Sequence, residues 1–197
     1  MKRTGQRGRA RRSNSEPRSG RARFRHSRAR MIETAILPDL MRKFLLERYQ
    51  WFPRPIEEVF NFFSRPENLQ IITPPWLDFR MVETPSSLAK GSLIRYRLRW
   101  RGLPIRWTTE IAEWNPPAGF VDREVSGPYA LWNHEHLFFM KDGGTLMQDR
   151  VTYALPLGWV GDLAHRVLVS RDVERIFDFR AQAMQRLFPA TACCTNP

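Results

Sequence analysis

Two histidines and one aspartate on a predicted hairpin form the pattern in this sequence that most suggests chemistry. Polar and aromatic side chains alternate along one candidate strand at Trp132, His134, His136 and Phe138. Alternation with a period of two places all four side chains on one face of a sheet. Asp149 follows after a tight turn. Histidines among aromatic side chains, where a strand normally buries only hydrocarbon, indicate the polar part of a pocket.

The turn of this hairpin sets its register. A two-residue turn at Asp142 and Gly143 predicts that His136 faces Asp149 across the two strands. A shift of two residues would place Phe138 opposite Asp149 and still keep the histidine and the carboxylate on one face. His136 and Asp149 are therefore the candidate catalytic residues. The same register pairs Phe138 with Met147, His134 with Val151 and Trp132 with Tyr153.

A histidine held by a carboxylate has several possible roles. It can act as a general base, or it can bind a carbonyl or hydroxyl group of a ligand. The alternative is that His136 and Asp149 only satisfy each other in the core. No serine or cysteine lies on the same stretch of that face to act as a nucleophile. A metal set of His134, His136 and Asp149 is a further alternative, but nothing else in the sequence supports iron or zinc, so neither a metal nor a cofactor is expected.

The rest of the pattern predicts an α+β domain. The predicted elements are a strand at 42–52, two short helices at 55–64 and 66–71, strands at 92–101, 104–114, 119–126, 130–140 and 145–155, and an amphipathic helix at 162–188. This order describes a curved antiparallel sheet packed against a long C-terminal helix. One helix does not fill such a sheet, so we expect a cleft between them.

Aromatic side chains are plentiful enough to line this cleft, with plain core packing as the alternative. The candidates are Trp76, Tyr96, Trp100, Trp107, Trp132 and Tyr153. The register around residues 127–129 is uncertain by one residue. This uncertainty leaves open whether Arg123, or Asp122 and Glu124, point into the cleft.

The net positive charge of the chain lies in its first 30 residues. The formal net charge of the chain is +12. Residues 1–30 contain twelve lysines and arginines and one acidic residue, Glu16, which gives this segment a net charge of +11. The rest of the chain therefore has a net charge of about +1. This segment is too poor in apolar residues to fold by itself, so residues 1–40 are expected to be a disordered tail. Three interpretations remain open: nucleic-acid binding, targeting, and a segment upstream of a true start at Met41.

Other functional classes are disfavoured by the composition. No run of 18 apolar residues exists, so no membrane span is expected. The cysteines, Cys193 and Cys194, are adjacent and near the C-terminus, which argues against a disulfide framework. We therefore expect a cytoplasmic protein with one domain at 41–189 and a flexible end at 190–197; the oligomeric state is not predicted.

Several motifs together resemble a known superfamily. They are PIEEVFNFFS (55–64), NL (68–69), ITPPW (72–76), WNPP (114–117), GPY (127–129), WNHEHLF (132–138), DRV (149–151) and YALP (153–156). On these motifs, residues 46–188 resemble the START-like, or SRPBCC, superfamily of helix-grip domains. The resemblance is to the bacterial ligand-binding subgroup described as polyketide cyclase/dehydrase-like.

The resemblance implies a deep apolar cavity between the sheet and the C-terminal helix. The expected function is binding or carriage of a small hydrophobic ligand, such as a lipid, polyketide or quinone-like molecule. The expected ligand-binding residues are Trp76, Tyr96, Trp107, Trp132, His134, His136, Asp149 and Tyr153. Some relatives are aromatase/cyclases and others bind without chemistry, so the fold alone does not decide. The alternatives are a cyclase/dehydratase that uses His136 and Asp149 for proton transfer, and nucleic-acid association through the basic tail.

Overall fold

The computed structural model describes residues 41–189, which form one antiparallel sheet packed against helices. The predicted tail at 1–40 and the predicted flexible end at 190–197 lie outside the described residues. The nucleic-acid hypothesis, which depends on residues 1–30, therefore stays a prediction. Within residues 41–189, no helix combines the length and the hydropathy needed to cross a membrane.

Seven strands make up the sheet in the described part of the chain. They are β1 (Phe44–Phe52), β2 (Arg80–Glu83), β3 (Leu93–Trp100), β4 (Leu103–Asn115), β5 (Gly119–Ser126), β6 (Leu131–Lys141) and β7 (Gly144–Ala154). Strands β2 to β7 follow one another as a meander, and β1 pairs with β7. The sequence analysis missed β2, because this short strand is largely exposed and shows no apolar alternation.

Two helical regions pack against this sheet. Helix α1 (Ile56–Phe63) follows Pro55, carries Glu57 and Glu58 in its first turn, and buries one apolar face, as its sequence predicts. The predicted second helix is instead a 3₁₀ helix at Pro66–Gln70, and a further 3₁₀ turn follows at Pro75–Leu77.

The C-terminal helix begins earlier than predicted and is not uniform. It runs as α2 (Trp159–Ala164), a π-helical turn (His165–Val169) and α3 (Ser170–Leu187). Helix α3 buries Val173, Phe177, Ala183 and Met184 against the sheet. Each fully buried large apolar side chain contributes about 1.5–3 kcal/mol, so this face fixes the helix on the sheet.

The hairpin formed by β6 and β7 has the register that the sequence predicts. Asp142 and Gly143 have φ values of 50° and 73°, which is the geometry of a two-residue hairpin turn. His136 therefore lies opposite Asp149. The other predicted pairs are also present: Phe138 with Met147, His134 with Val151 and Trp132 with Tyr153.

The π-helical turn places His165 against the first strand. Its imidazole stacks on Phe44 with ring centroids 3.4 Å apart, and its Nε2 lies 2.8 Å from the hydroxyl oxygen of Tyr153. Burial lowers the pKa of His165, and the nearby charge of Arg42 lowers this pKa further. The imidazole is therefore held in its neutral form.

We expect His165 to titrate below its ordinary pKa of 6.5. Because its pKa in the folded state is depressed, protonation opposes folding, and stability falls as the pH drops from 6.5 through the folded-state pKa. The imidazole resonances of the full chain, followed by NMR against pH and assigned with a His165→Gln variant, measure this midpoint. A midpoint at or above 6.5 would contradict the packing described here.

Candidate functional site

A cavity of about 410 Å³ lies between the sheet and the C-terminal helix. This volume is within the range typical of small-molecule sites. Its walls combine aliphatic side chains with aromatic ones, namely Phe62, Phe63, Phe79, Tyr96, Trp100, Trp107, Phe120, Tyr129, Trp132 and Phe177. The cavity therefore presents mostly hydrocarbon to whatever occupies it.

Strand alternation produces one of these walls. Along β3, Tyr96, Leu98 and Trp100 line the cavity, whereas Arg97 and Arg99 are exposed on the other face. Trp100 donates a hydrogen bond from Nε1 to Asp172 Oδ2 over 2.7 Å, which ties this wall to helix α3. The period-two pattern of the sequence thus separates a cavity face from a solvent face.

Four titratable side chains form a polar cluster beside the apolar walls. Asp122 on β5 and His134 and His136 on β6 line the cavity. Asp149 on β7 is buried next to both histidines and does not line the cavity. Each histidine is only 4% exposed. We refer to Asp122, His134, His136 and Asp149 as the His–Asp cluster.

Each imidazole in the His–Asp cluster lies between the two carboxylates. His134 donates a hydrogen bond from Nε2 to Asp149 Oδ1 over 3.0 Å, and its Nδ1 lies 3.4 Å from Asp122 Oδ2. His136 donates from Nε2 to Asp122 Oδ2 over 3.0 Å, and its Nδ1 lies 2.8 Å from Asp149 Oδ1. All four ring nitrogens therefore face a carboxylate oxygen.

The environment of the cluster sets the charge that each group carries. Burial lowers the pKa of His134, and the charge of His136 lowers it further. For His136, burial acts in the same direction, but the carboxylates of Asp122 and Asp149 outweigh it and raise the pKa. Burial would raise the pKa of each aspartate, yet the two imidazoles hold both below their ordinary value. The opposite shifts make His136 the histidine of the cluster that binds a proton more readily, while Asp122 and Asp149 remain ionised.

Two further side chains at the cavity carry donor atoms without a partner in the described part of the chain. These atoms are the indole Nε1 of Trp107 and the Nε and Nη1 atoms of Arg180, all of which are buried. The Arg180 guanidinium lies 5.2 Å from the ring centroid of Phe177. Buried donors without acceptors are unfavourable, so an oxygen atom of a ligand would satisfy them.

The cavity collects most of the predicted ligand-binding residues. Five line it, namely Tyr96, Trp107, Trp132, His134 and His136. Three do not. Trp76 is 51% exposed and packs on Phe179 outside the cavity, because the 3₁₀ turn at Pro75–Leu77 carries it outward. Tyr153 lies in a core cluster and contacts His165, and Asp149 lies behind the histidines.

The sequence analysis did not identify Asp122 and Arg180 as site residues. The pairing of Asp122 with His134 across β5 and β6 resolves the register that the sequence left open. Arg123 is exposed, and Glu124 turns inward to accept a hydrogen bond from the backbone N–H of Tyr129 over 3.1 Å. Burial raises the pKa of Glu124 to about 7.

The curved sheet, the long C-terminal helix and the cavity between them define a helix-grip fold, as the sequence predicts. Solved structures with this fold confirm it. The protein TTHA0849 of Thermus thermophilus superposes with a TM-score of 0.54 at 19% identity, over 74% of this chain and 99% of the other. A major latex-like protein of Panax ginseng superposes with a TM-score of 0.57 at 12% identity, over 75% and 99% of the two chains.

A third similar structure is the Zhui aromatase/cyclase from a Streptomyces species. Its TM-score is 0.54 at 15% identity, and the match covers 76% of this chain and 99% of that one. No family model matches the sequence, and no curated protein matches it. At these identities the likeness establishes the fold, and the function must be argued from the site.

Proposed function

We propose that this protein binds a small hydrophobic ligand, such as a lipid, polyketide or quinone-like molecule, in the cavity between the sheet and the C-terminal helix. The observation that carries the proposal is a cavity of about 410 Å³ with walls that are mostly aromatic and aliphatic. Such walls release water when an apolar molecule enters, and burial of apolar surface stabilises the complex by roughly 25 cal/mol per Å².

The polar groups of the cavity would orient this ligand. Trp107 Nε1 and the Arg180 guanidinium offer donors without acceptors, and the His–Asp cluster adds two imidazoles at the wall. A ligand with a hydrophobic body and a carbonyl, hydroxyl or carboxylate oxygen matches this distribution. In this proposal Tyr96, Trp107 and Trp132 contact the body of the ligand, and Asp149 orients His134 and His136.

A cyclase/dehydratase-type enzyme is the second candidate function. The observation that favours it is the His136 imidazole, which is held between Asp122 and Asp149 at the cavity wall. A histidine fixed in this way can move a proton on an enolisable carbonyl compound. The similarity to a protein named as an aromatase/cyclase supports this candidate. In this proposal His136 would transfer the proton, and Asp149, which lies behind it, would assist by orienting the imidazole.

A His136→Gln variant distinguishes the two candidates. The full chain is titrated with N-phenyl-1-naphthylamine, an apolar fluorescent probe, and we expect saturable binding of one probe per chain. His136→Gln should retain saturable binding, weakened by no more than about a hundredfold, because one buried hydrogen bond left unpaired costs about 1–3 kcal/mol. Absence of saturable binding by the wild-type protein would contradict the ligand-binding proposal.

The enzyme candidate is tested with the same pair of proteins. Exchange of the α-protons of 2-tetralone in D₂O, followed by NMR, reports proton abstraction from an enolisable ketone. A cyclase/dehydratase-type site should accelerate this exchange in the wild-type protein and not in His136→Gln. Equal exchange rates for both proteins and for buffer would contradict the enzyme candidate and leave the binding function in place.

A further inference from the structure

We propose that Asp122, His134 and His136 form a binding site for a divalent transition-metal ion, best matched by Zn²⁺, at the wall of the cavity. The ligand atoms would be Asp122 Oδ2, His134 Nδ1 and His136 Nε2. This proposal does not depend on the identity of the apolar ligand. It differs from the set considered from sequence, since the carboxylate is Asp122 and not Asp149.

The spacing of the three atoms is the first observation that carries the proposal. One ligand atom from each residue lies within 4.8 Å of the others. Asp122 Oδ2 is 3.0 Å from His136 Nε2 and 3.4 Å from His134 Nδ1. Zinc bonds of about 2.0–2.1 Å at tetrahedral angles place neighbouring ligand atoms about 3.3 Å apart. The three groups are therefore close to coordination distance before any ion binds.

Asp149 supplies the second observation. Its Oδ1 lies 3.0 Å from His134 Nε2 and 2.8 Å from His136 Nδ1, so it contacts the ring nitrogen of each histidine that does not face Asp122. Metal-bound histidines commonly donate their other ring N–H to a carboxylate, which fixes the tautomer and the orientation of the ring. Asp149 holds His134 by this hydrogen bond, and its Oδ1 is close enough to His136 Nδ1, which has no hydrogen-bond partner in the described part of the chain, to accept from it once the ring turns toward an ion.

The charge of the His–Asp cluster also matches a dication. With both imidazoles neutral, Asp122 and Asp149 carry two negative charges in a largely apolar region. Buried charges require compensation, and a divalent cation held by the two neutral imidazoles would add to the compensation that the Arg180 guanidinium in the same cavity provides. Arg180 lines the same cavity, but its Nε and Nη1 have no hydrogen-bond partner in the described part of the chain, so these atoms leave the Asp122 carboxylate available.

The position of the site indicates what the ion would do. Asp122, His134 and His136 line the cavity, whereas Asp149 does not. Three protein ligands with a fourth position open to a cavity are characteristic of zinc sites that bind a ligand or water. An ion there would act as a Lewis acid on an oxygen atom of the cavity's occupant. Two histidines and one carboxylate also suit Fe²⁺, and the binding experiment compares the two ions.

The test measures metal binding to the full chain, without an affinity tag, after treatment with a chelator. We expect one Zn²⁺ per chain by calorimetry and elemental analysis, and visible d–d bands of a low-coordinate site with Co²⁺. Loss of a residue that hydrogen-bonds to a metal ligand typically weakens metal binding by about tenfold to a hundredfold, which is the effect expected for Asp149→Asn. Asp122→Asn removes a ligand itself, so it should weaken Zn²⁺ binding by more than about a hundredfold. Fe²⁺ added under anaerobic conditions should bind more weakly than Zn²⁺.

Glu124→Gln is the matched control. Glu124 lies two residues from Asp122 on β5 and is also an inward carboxylate, but it is outside the proposed set. This variant should bind Zn²⁺ as the wild-type protein does. Failure of the wild-type protein to bind one Zn²⁺, or equal binding by Asp122→Asn and Glu124→Gln, would overturn the proposal.

X-ray absorption at the zinc edge provides a readout that does not require any variant to fold. The proposal predicts two imidazoles and oxygen atoms in the first shell. Sulfur scattering would place the ion on Cys193 and Cys194 and would overturn the proposal. Binding of N-phenyl-1-naphthylamine without Zn²⁺ binding would contradict the metal site alone, so the two proposals can fail independently.

Discussion

Asp149→Ala is expected to lower the free energy of unfolding by about 3 kcal/mol, because it removes one partner from a buried set of charges. Asp149 Oδ1 contacts both His134 and His136, and because all three side chains are buried, solvent compensates poorly for its loss. Asp122 still contacts both imidazoles, which places the loss at the lower end of the range for broken buried pairs. Urea unfolding of the full chain, with a chelator present, measures the change.

Two control variants separate charge from packing in this experiment. Asp149→Asn keeps the size of the side chain but removes its charge, and it should lose most of the same stability. Gln148→Ala, at the adjacent partly exposed position, removes only surface hydrogen bonds to Glu47 and Tyr49, so it should lower the free energy of unfolding by no more than about 1 kcal/mol. An Asp149→Asn variant as stable as the wild-type protein would show that the contacts of Asp149 with the histidines contribute little.

Leu98→Trp is expected to weaken binding of N-phenyl-1-naphthylamine at least about tenfold, a change of about 1.4 kcal/mol or more. Leu98 points from β3 into a cavity of about 410 Å³. An indole at this position occupies the space that the probe would take. Fluorescence titration of the full chain measures the change in affinity.

Arg97→Trp is the matched control for this substitution. Arg97 is the preceding residue on β3, and it lies on the exposed face. The control adds the same side chain outside the cavity and should bind the probe as the wild-type protein does. Thermal melts of both variants check folding, because overpacking can cost about 1–3 kcal/mol. Equal affinities for Leu98→Trp and Arg97→Trp would show that the probe binds elsewhere.

The part of the site that could be predicted is the part determined by local chemistry. Asp142 and Gly143 favour a two-residue turn, and that turn alone sets the register that brings His136 opposite Asp149. Period-two alternation then places His134 on the same face. Short-range turn preferences and strand periodicity were sufficient for this hairpin.

Other features depend on contacts between distant segments. Asp122 reaches the histidines only through the pairing of β5 with β6, and its alternative was Arg123 on the opposite face. The pairing of β4 with β5 contains register shifts near Thr109 and Ile111, which no sequence periodicity reveals. Trp76 lies in a 3₁₀ turn without amphipathic periodicity, so its sequence could not indicate whether it faces the cavity or solvent.

Native mass spectrometry of the full chain isolated from its source cells, followed by organic extraction, tests the ligand-binding proposal most directly. We predict one lipophilic molecule per chain in the wild-type protein and in Arg97→Trp, and its absence from Leu98→Trp. The proposal would be contradicted if all three proteins showed only the unliganded mass in repeated preparations and did not bind N-phenyl-1-naphthylamine saturably. The cavity would then be a gap in the packing of the core and not a ligand-binding site.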